Sequence, residues 1–268
     1  MITLKTRKEL LTMREAGRIS AQALRTAGQH IRAGMTTKEL DRILYDFIRS
    51  KGATPSFLGY GGFPGTACIS VNNEVIHGIP GPRKLREGDI VSIDVGAIYK
   101  GFHGDNAYTF AVGKISPEAQ KLLDVTRESL YRGIAAAQSG ARIGDIGYAV
   151  QSYVEQNGFA VVRKYVGHGV GRDMHESPEV PNFGKAGRGV RLTPGMVIAI
   201  EPMINAKGTD VRVLGDKWTV VTSSGALSAH FENTIAITEH GPVILTDPLE
   251  GEEISQTPIL YDREGARK

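Results

Sequence analysis

The sequence predicts a duplicated α+β fold with pseudo-twofold symmetry: two helices followed by antiparallel strands, twice, with helices outside and a curved sheet within. Three observations carry that expectation. Helix-start signals occur as two pairs, the glycines that end equivalent helices recur at a constant offset, and the strand-rich segments behind them repeat with acidic residues at matching places.

The first helix starts at a capping box, Thr6 and Glu9, and carries Leu10, Met13, Gly17, Ile19 and Leu24 near helical spacing up to Gly28. A second box, Thr36 and Glu39, starts a helix with Leu40, Ile43, Leu44, Phe47 and Ile48 that stops at Gly52. In the later half Ser116-Pro117-Glu118 starts a third helix, and a fourth runs from about Asp145 to Gly158. At an offset of 106 (140 − 34) Gly34 falls on Gly140, Leu40 on Ile146, Leu44 on Val150, Phe47 on Tyr153, Ile48 on Val154 and Gly52 on Gly158. Helical periodicity would match the apolar positions but not both glycines. Residues 85–101 lie over 192–208 at an offset of 107 (192 − 85), which places Asp94 on Glu201. Residues 103–106 lie over 230–233 at 127 (230 − 103), the extra length being an insertion around 215–227, and Asp105 falls on Glu232.

Composition sets the frame for these elements. With 268 residues, 41% of them hydrophobic and 23% charged, the chain is long enough to bury a full core, and disordered, collagen-like and coiled-coil classes are out. No apolar run approaches the roughly 18 residues of a membrane span, and the start lacks the apolar stretch of a secretion signal, so a soluble, cytoplasmic protein is expected. One cysteine, Cys68, makes an intramolecular disulfide and a thiolate zinc finger impossible. A net charge of +3 is too small to make nucleic acid the main ligand. The basic start (Lys5, Arg7, Lys8, Arg14, Arg18) reads as a solvated helix face. Residues 59–65 form a short glycine-rich loop, and no linker divides the chain. A single catalytic domain over 1–268 is expected, with halves at about 1–113 and 114–250 and a short polar C-terminal tail.

The acidic residues stand where structure alone would not put them. DIVSIDVGAIY and AYTFAV read as the strands of a hairpin turning at Lys100-Gly101. If the loop is centred between Tyr99 and Lys100, Asp94 and Asp105 face each other directly; a one-residue shift makes them diagonal neighbours. Facing like charges destabilise a sheet, and a carboxylate in an apolar strand costs several kcal/mol unless neutralised. A cation is the direct remedy, against protonation or pairing with Lys or Arg. Glu201 ends the apolar run MVIAIE and Glu232 precedes TIAI, which poses the same problem in the second half. GHGVGRDMHE (167–176) adds His168 and His175 in a glycine-rich stretch that cannot be regular helix. Two Asp, two Glu and one His suit Mn, Fe, Co or Zn, and four carboxylates carry charge for two divalent ions. Such a centre lowers the pKa of water and polarises a carbonyl or phosphoryl group, so metal-assisted hydrolysis is the expected reaction class. His30, His103, His230 and His240 read as surface or hairpin residues.

Five ordered blocks, VIHGIP (75–80), DIVSIDVGAIYKGFHGD (89–105), GHGVGRDMHESPEVPNFG (167–184), PGMVIAIEPM (194–203) and SAHFENTIAIT (228–238), closely resemble the methionine aminopeptidase family across nearly the whole chain. The resemblance implies a "pita-bread" α+β fold, two divalent ions per chain (Co, Mn, Fe or Zn) and removal of the initiator methionine by hydroxide attack on the first peptide bond. It implies Asp94, Asp105, His168, Glu201 and Glu232 as ligands, with Asp105 and Glu232 bridging. Glu201 is implied as general base and proton shuttle, His175 as donor to the carbonyl oxygen and His77 as a contact to the scissile amide. A neutral imidazole that donates one hydrogen bond suits both histidine roles. His77 and His175 each precede a proline by three residues, like symmetry mates. The pocket for the methionine thioether is implied at Phe57, Tyr60, Phe63, Cys68, Met174 and Trp218. Phe57 stands where the family's best-known bacterial pattern has cysteine, Phe63 where it has tyrosine and Met174 where it has an aromatic, which puts pocket depth in question and leaves the ligands untouched.

With only 25 residues between His175 and Glu201 the chain resembles type I, in its minimal bacterial form; prolidase and aminopeptidase P are similar in the metal blocks but carry an additional N-terminal domain. The implied partner is a peptide or nascent chain that begins with Met and a small residue, met through transient ribosome contact by a monomer, with no membrane and no specific nucleic acid. Two rivals belong to other classes. A non-catalytic binding protein on this fold would have lost ligands, and all stand here. A dinuclear phosphoesterase would need cationic phosphate clamps, for which Arg172 is the only obvious candidate. Cys68 as a thiol nucleophile lacks an arguable His and Asn pair, and GHGVG misses the dinucleotide spacing.

Overall fold

The capping boxes form as hydrogen bonds. Thr6 Oγ1 accepts from the Glu9 amide at 3.4 Å while a Glu9 carboxylate oxygen accepts from Thr6 N at 2.9 Å, and helix α1 runs Arg7–His30, two residues past the expected stop. Thr36 and Glu39 start α2, Thr37–Ser50, in the same way. Ser116 Oγ accepts from Ala119 N at the head of α3, Pro117–Ala136. Before α4, Ile143–Gln156, half a box survives: Arg142 N donates to Asp145 Oδ2 at 2.7 Å, at the position equivalent to Thr36. The computed structural model describes residues 1–246, so the expected tail lies outside the described residues.

The duplication read from the sequence recurs in the hydrogen bonding. Gly34 N donates to Leu85 O at 2.8 Å and Gly140 N to Leu192 O at 2.9 Å, with isolated bridges Thr36↔Lys84 and Arg142↔Arg191 beside them. Both glycines are left-handed, at φ 87° and 88°, where a side chain would be strained.

The main sheet is antiparallel and nine-stranded: Thr54–Pro55, Ile90–Tyr99, Phe102–Ala111, Glu232–Thr238, Val197–Ile200, Gly167–Gly169 and Glu176–Val180 in that order. Cys68–Val71 also pairs with Ile90–Tyr99, and Gly241–Ile244 with Glu232–Thr238. One flanking sheet joins Ser228–His230, Met203–Asn205 and Ala160–Val161; the other joins Val211–Val213, Val220–Thr222 and Glu74–Ile76. The halves meet on the central strands, where Glu232 pairs with Ala107 and Asn233 with Asn106.

The four helices cover one face of the sheet. α2 buries Leu40, Leu44 and Ile48, one stripe at i, i+4, i+8, against Ile69, Ile93 and Val95. In the other half Leu122, Ile146 and Val150 pack on Ile198, Ile200 and Ile235. Full burial of each such side chain contributes about 1.5–3 kcal/mol, so the helices hold the outer face down. α1 touches the sheet through backbone: a Cβ on Gly104 would lie 2.3 Å from Gly17 N. The strand Ile90–Tyr99 thus turns Val91, Ile93 and Val95 outward to helices, which leaves Ser92, Asp94 and Gly96 for the inner face. Among the described residues no helix is long and apolar enough to cross a membrane.

Candidate metal centre

Lys100 and Gly101 are both left-handed, φ 49° and 79°, the two-residue turn that matches strand twist. The turn therefore sits one residue beyond the centred placement, and Tyr99 pairs with Phe102, Asp94 with Ala107 and Asp105 with Gly96. Asp94 and Asp105 are diagonal neighbours on one face. Asp105 is pinned by Thr234, whose Oγ1 accepts from Asp105 N at 3.1 Å and donates to Asp105 O at 2.8 Å, in the strand that begins at Glu232. The adjoining ladder reaches Asn233↔Ile200, one step short of Glu232 and Glu201. Acidic residues from both halves so converge on the seam, as the offsets require.

His168 joins them from Gly167–Gly169. Its Nδ1 donates to Gly169 O at 2.8 Å, which leaves Nε2 as a lone pair aimed inward, 3.7 Å from Asp105 Oδ2 and 3.6 Å from Glu201 Oε1. Ligand atoms of Asp105, His168 and Glu232, all buried, lie within 4.8 Å of one another. Asp94 Oδ1 and Glu232 Oε1 are enclosed and have no hydrogen-bond partner. Burial lifts all four carboxyls: Asp105 to about 7, and Asp94, Glu201 and Glu232 well above the ordinary range, with Asp105's charge adding to each of the three. Burial, then His175, lowers His168 to about 4, so its imidazole is neutral at pH 7. Orphaned carboxylate oxygens beside a neutral, oriented imidazole form a donor set that a divalent ion fits.

Every side chain named from the sequence as part of the site lines one open cavity. Phe57, Phe63, Cys68 and Met174 form a separate buried apolar cluster, with Trp218 and Ile79 against it. Phe63 meets Trp218 edge-on at 5.2 Å. The insertion provides Trp218, whose backbone N donates to Asp216 Oδ1 at 2.9 Å in a hairpin that pairs with Glu74–Ile76. Cys68 pairs with Asp94 in register, and burial holds its thiol well above the ordinary range, which makes it a wall and not a nucleophile. Tyr60 OH meets His175 Nδ1 at 2.8 Å, and the His175 ring lies 4.2 Å from that of His168. His77 sits at φ 59°, a strained conformation for a residue with a side chain, and burial lowers it to about 4.

Several residues were missed or misread in the sequence. His230 is neither surface nor hairpin: it is 1% exposed, its Nε2 has no hydrogen-bond partner, and that atom lies 3.5 Å from Glu201 Oε2. His103 is likewise buried, its Nδ1 3.0 Å from Ser56 Oγ, while His30 and His240 are exposed. Asn182, fully buried, donates from Nδ2 to Glu201 O at 3.0 Å. The polar run HFEN hid His230, and nothing local marks Asn182. Lys5 also departs from the solvated face expected of it, being buried against Glu176. Arg172 turns outward over Phe102 and toward Glu9 Oε1 at 3.5 Å, so it clamps no phosphate.

The family model for metallopeptidase family M24 matches residues 12–239. A methionine aminopeptidase 1 of Bacillus subtilis (strain 168) is 56% identical over 246 residues, 92% of this chain and 99% of the relative. Solved structures of methionine aminopeptidases from Thermotoga maritima and Rickettsia prowazekii superpose with a TM-score of 0.91 each, at 46% and 42% identity, over 92% of this chain and 100% of each. They bear out the curled antiparallel sheet and outer helices of the pita-bread fold.

Proposed function

The chain belongs to metallopeptidase family M24 and, within it, to the methionine aminopeptidases, and we propose that Asp94, Asp105, His168, Glu201 and Glu232 are the ligands of two divalent ions. The protein is a metal-dependent aminopeptidase that removes N-terminal methionine. The observation that carries the ligand set is the pair of enclosed, partnerless oxygens, Asp94 Oδ1 and Glu232 Oε1, on the seam between halves. Bound there, the ions supply Lewis acidity and a water of lowered pKa.

The chain's own residues do the rest. Phe57, Phe63, Cys68, Met174 and Trp218 take the thioether into an apolar cluster, which suits a polarisable sulfur, and Tyr60 stands at its exposed edge. The Tyr60 phenol donates to His175 Nδ1, so the neutral ring presents Nε2–H to the carbonyl oxygen as negative charge develops. His77, near Trp218 and Tyr165 by their ring edges, contacts the scissile amide. Glu201 takes the proton from the attacking water and delivers it to the leaving amine. His230 Nε2 stands 3.5 Å from the far oxygen of that carboxylate, and Asn182 holds its backbone carbonyl.

A small second residue, a nascent chain met at the ribosome and a monomeric state complete the reading, supported by the family resemblance. A reducing cytoplasm is supported by Cys68, buried and unpaired. One catalytic unit made of both halves is supported by the central pairing of Glu232 with Ala107.

The test is methionine release from Met-Gly and Leu-Gly peptides by chelator-stripped protein with Mn, Co, Fe or Zn added back. Metal-dependent release from the Met peptide alone is expected. Cleavage of both would sink the methionine pocket, and no cleavage with any metal would sink the reaction.

A further inference from the structure

Lys5 is 7% exposed, and its Nζ lies 2.5 Å from Glu176 Oε2. Its backbone N donates to Gly195 O at 2.7 Å, so the residue is stitched to the body of the protein. Glu176 follows His175 directly. The second oxygen of Glu176 accepts from Arg172 N at 2.9 Å and Asp173 N at 3.4 Å. A Cβ on Gly171 would lie 2.0 Å from that same oxygen, so the carboxylate fills the inside of the turn. The backbone of Glu176 pairs with Gly169, the residue whose carbonyl orients His168.

Residues 170–175 belong to no strand or helix, yet this segment carries Met174 of the apolar wall and His175 at the cavity mouth. His175 is exposed, and Tyr60 OH is the only hydrogen-bond partner its side chain shows among the described residues. Its place is set through its backbone, and the backbone is closed by Glu176. An exposed ion pair would do little here, but these side chains are 4% and 13% exposed, so removing one partner leaves the other charge uncompensated and drives it to seek water.

We propose that the Lys5–Glu176 pair is a positioning device for the reaction, which holds the 171–175 turn from the N-terminal segment so that Met174 and His175 face the substrate together. The inference rests on the roles given above to Met174 and His175. Lys5 touches no substrate and acts only through Glu176.

The experiment compares the full chain with Lys5→Met, Glu176→Gln and the double variant. It reads kcat and KM for a Met-Gly peptide at saturating Mn, metal content, and the imidazole NMR resonances of His175 in chelated protein. Lys5→Met is expected to keep its metal, lower kcat roughly 10- to 100-fold, raise KM and shift the His175 resonances. The double variant recovers part of the loss, because the amide oxygen that Glu176→Gln supplies still accepts from the turn and no charge is left alone. Kinetic constants within about twofold of wild type, with unmoved His175 resonances, would overturn the proposal even if Tm fell, since the pair would then be structural only. Should Lys5→Met not fold, Glu176→Gln decides on the same readouts. If the wild type releases no methionine the reaction assigned above fails, and the His175 resonances still decide this inference.

Discussion

Loading the site with metal must expel protons. Burial raises Asp105 to about 7, and burial with mutual repulsion holds Asp94, Glu201 and Glu232 well above their ordinary values. His168, lowered to about 4, is already neutral and contributes no proton. Ions need all four carboxylates charged, so loading near neutral pH releases protons. Each proton released makes affinity rise about tenfold, about 1.4 kcal/mol, per pH unit. Calorimetric titration of stripped protein with Mn in two buffers of different ionisation enthalpy counts the protons, and repeating it from pH 6 to 8 gives the slope. Asp105→Asn is expected to lower the count. No proton release together with a flat affinity would mean that the carboxylates are ionised without metal, which refutes the step from burial to raised pKa to cation demand.

The same groups set the stability of the stripped protein. Carboxyls raised in the folded state lose stability as pH climbs from their unfolded values through their folded ones, whereas His77, His168 and His230, lowered to about 4, 4 and 3, gain it up to their unfolded value of 6.5. Above pH 7 the carboxyls act alone, and thermal melts of stripped protein are expected to fall by about 1.4 kcal/mol per pH unit for each proton still held, a slope that Mn abolishes. Met174→Ala enlarges the pocket end, so kcat/KM for Met peptides falls roughly 10- to 100-fold while Phe-initiated peptides gain relative to them; an equal fall for both would show that Met174 does not set selectivity. Gly104→Ala drives a Cβ to 2.3 Å from the α1 backbone at Gly17, a clash that costs about 1–3 kcal/mol and lowers Tm by roughly 2–10 °C in a calorimetric scan.

What could be read from the sequence follows the range of each interaction. The helices were legible because Thr6 with Glu9 and Thr36 with Glu39 are signals only three positions apart, and the duplication because Gly34 and Gly140 need the same left-handed backbone. The acidic residues were legible as inward-facing because alternation along Ile90–Tyr99 is a local property. Their exact opposition was not, since it hangs on where Lys100 and Gly101 place the turn. The buried states of Lys5 and His230 were out of reach: Lys5 meets a partner 171 positions away, and His230 comes beside Glu201 only once its strand pairs with Met203–Asn205. The apolar pocket came through family resemblance alone, because Phe57, Phe63 and Met174 share no periodicity and gather only through loops.

The claim on which the rest depends is that buried carboxylates from both halves, with His168, hold a pair of ions. Anomalous diffraction from crystals grown with Co tests it directly. Two peaks roughly 3.5–4 Å apart, bounded by Asp94, Asp105, His168, Glu201 and Glu232, are the expected result. Cobalt elsewhere on the chain, with those five side chains free of it, would contradict the account.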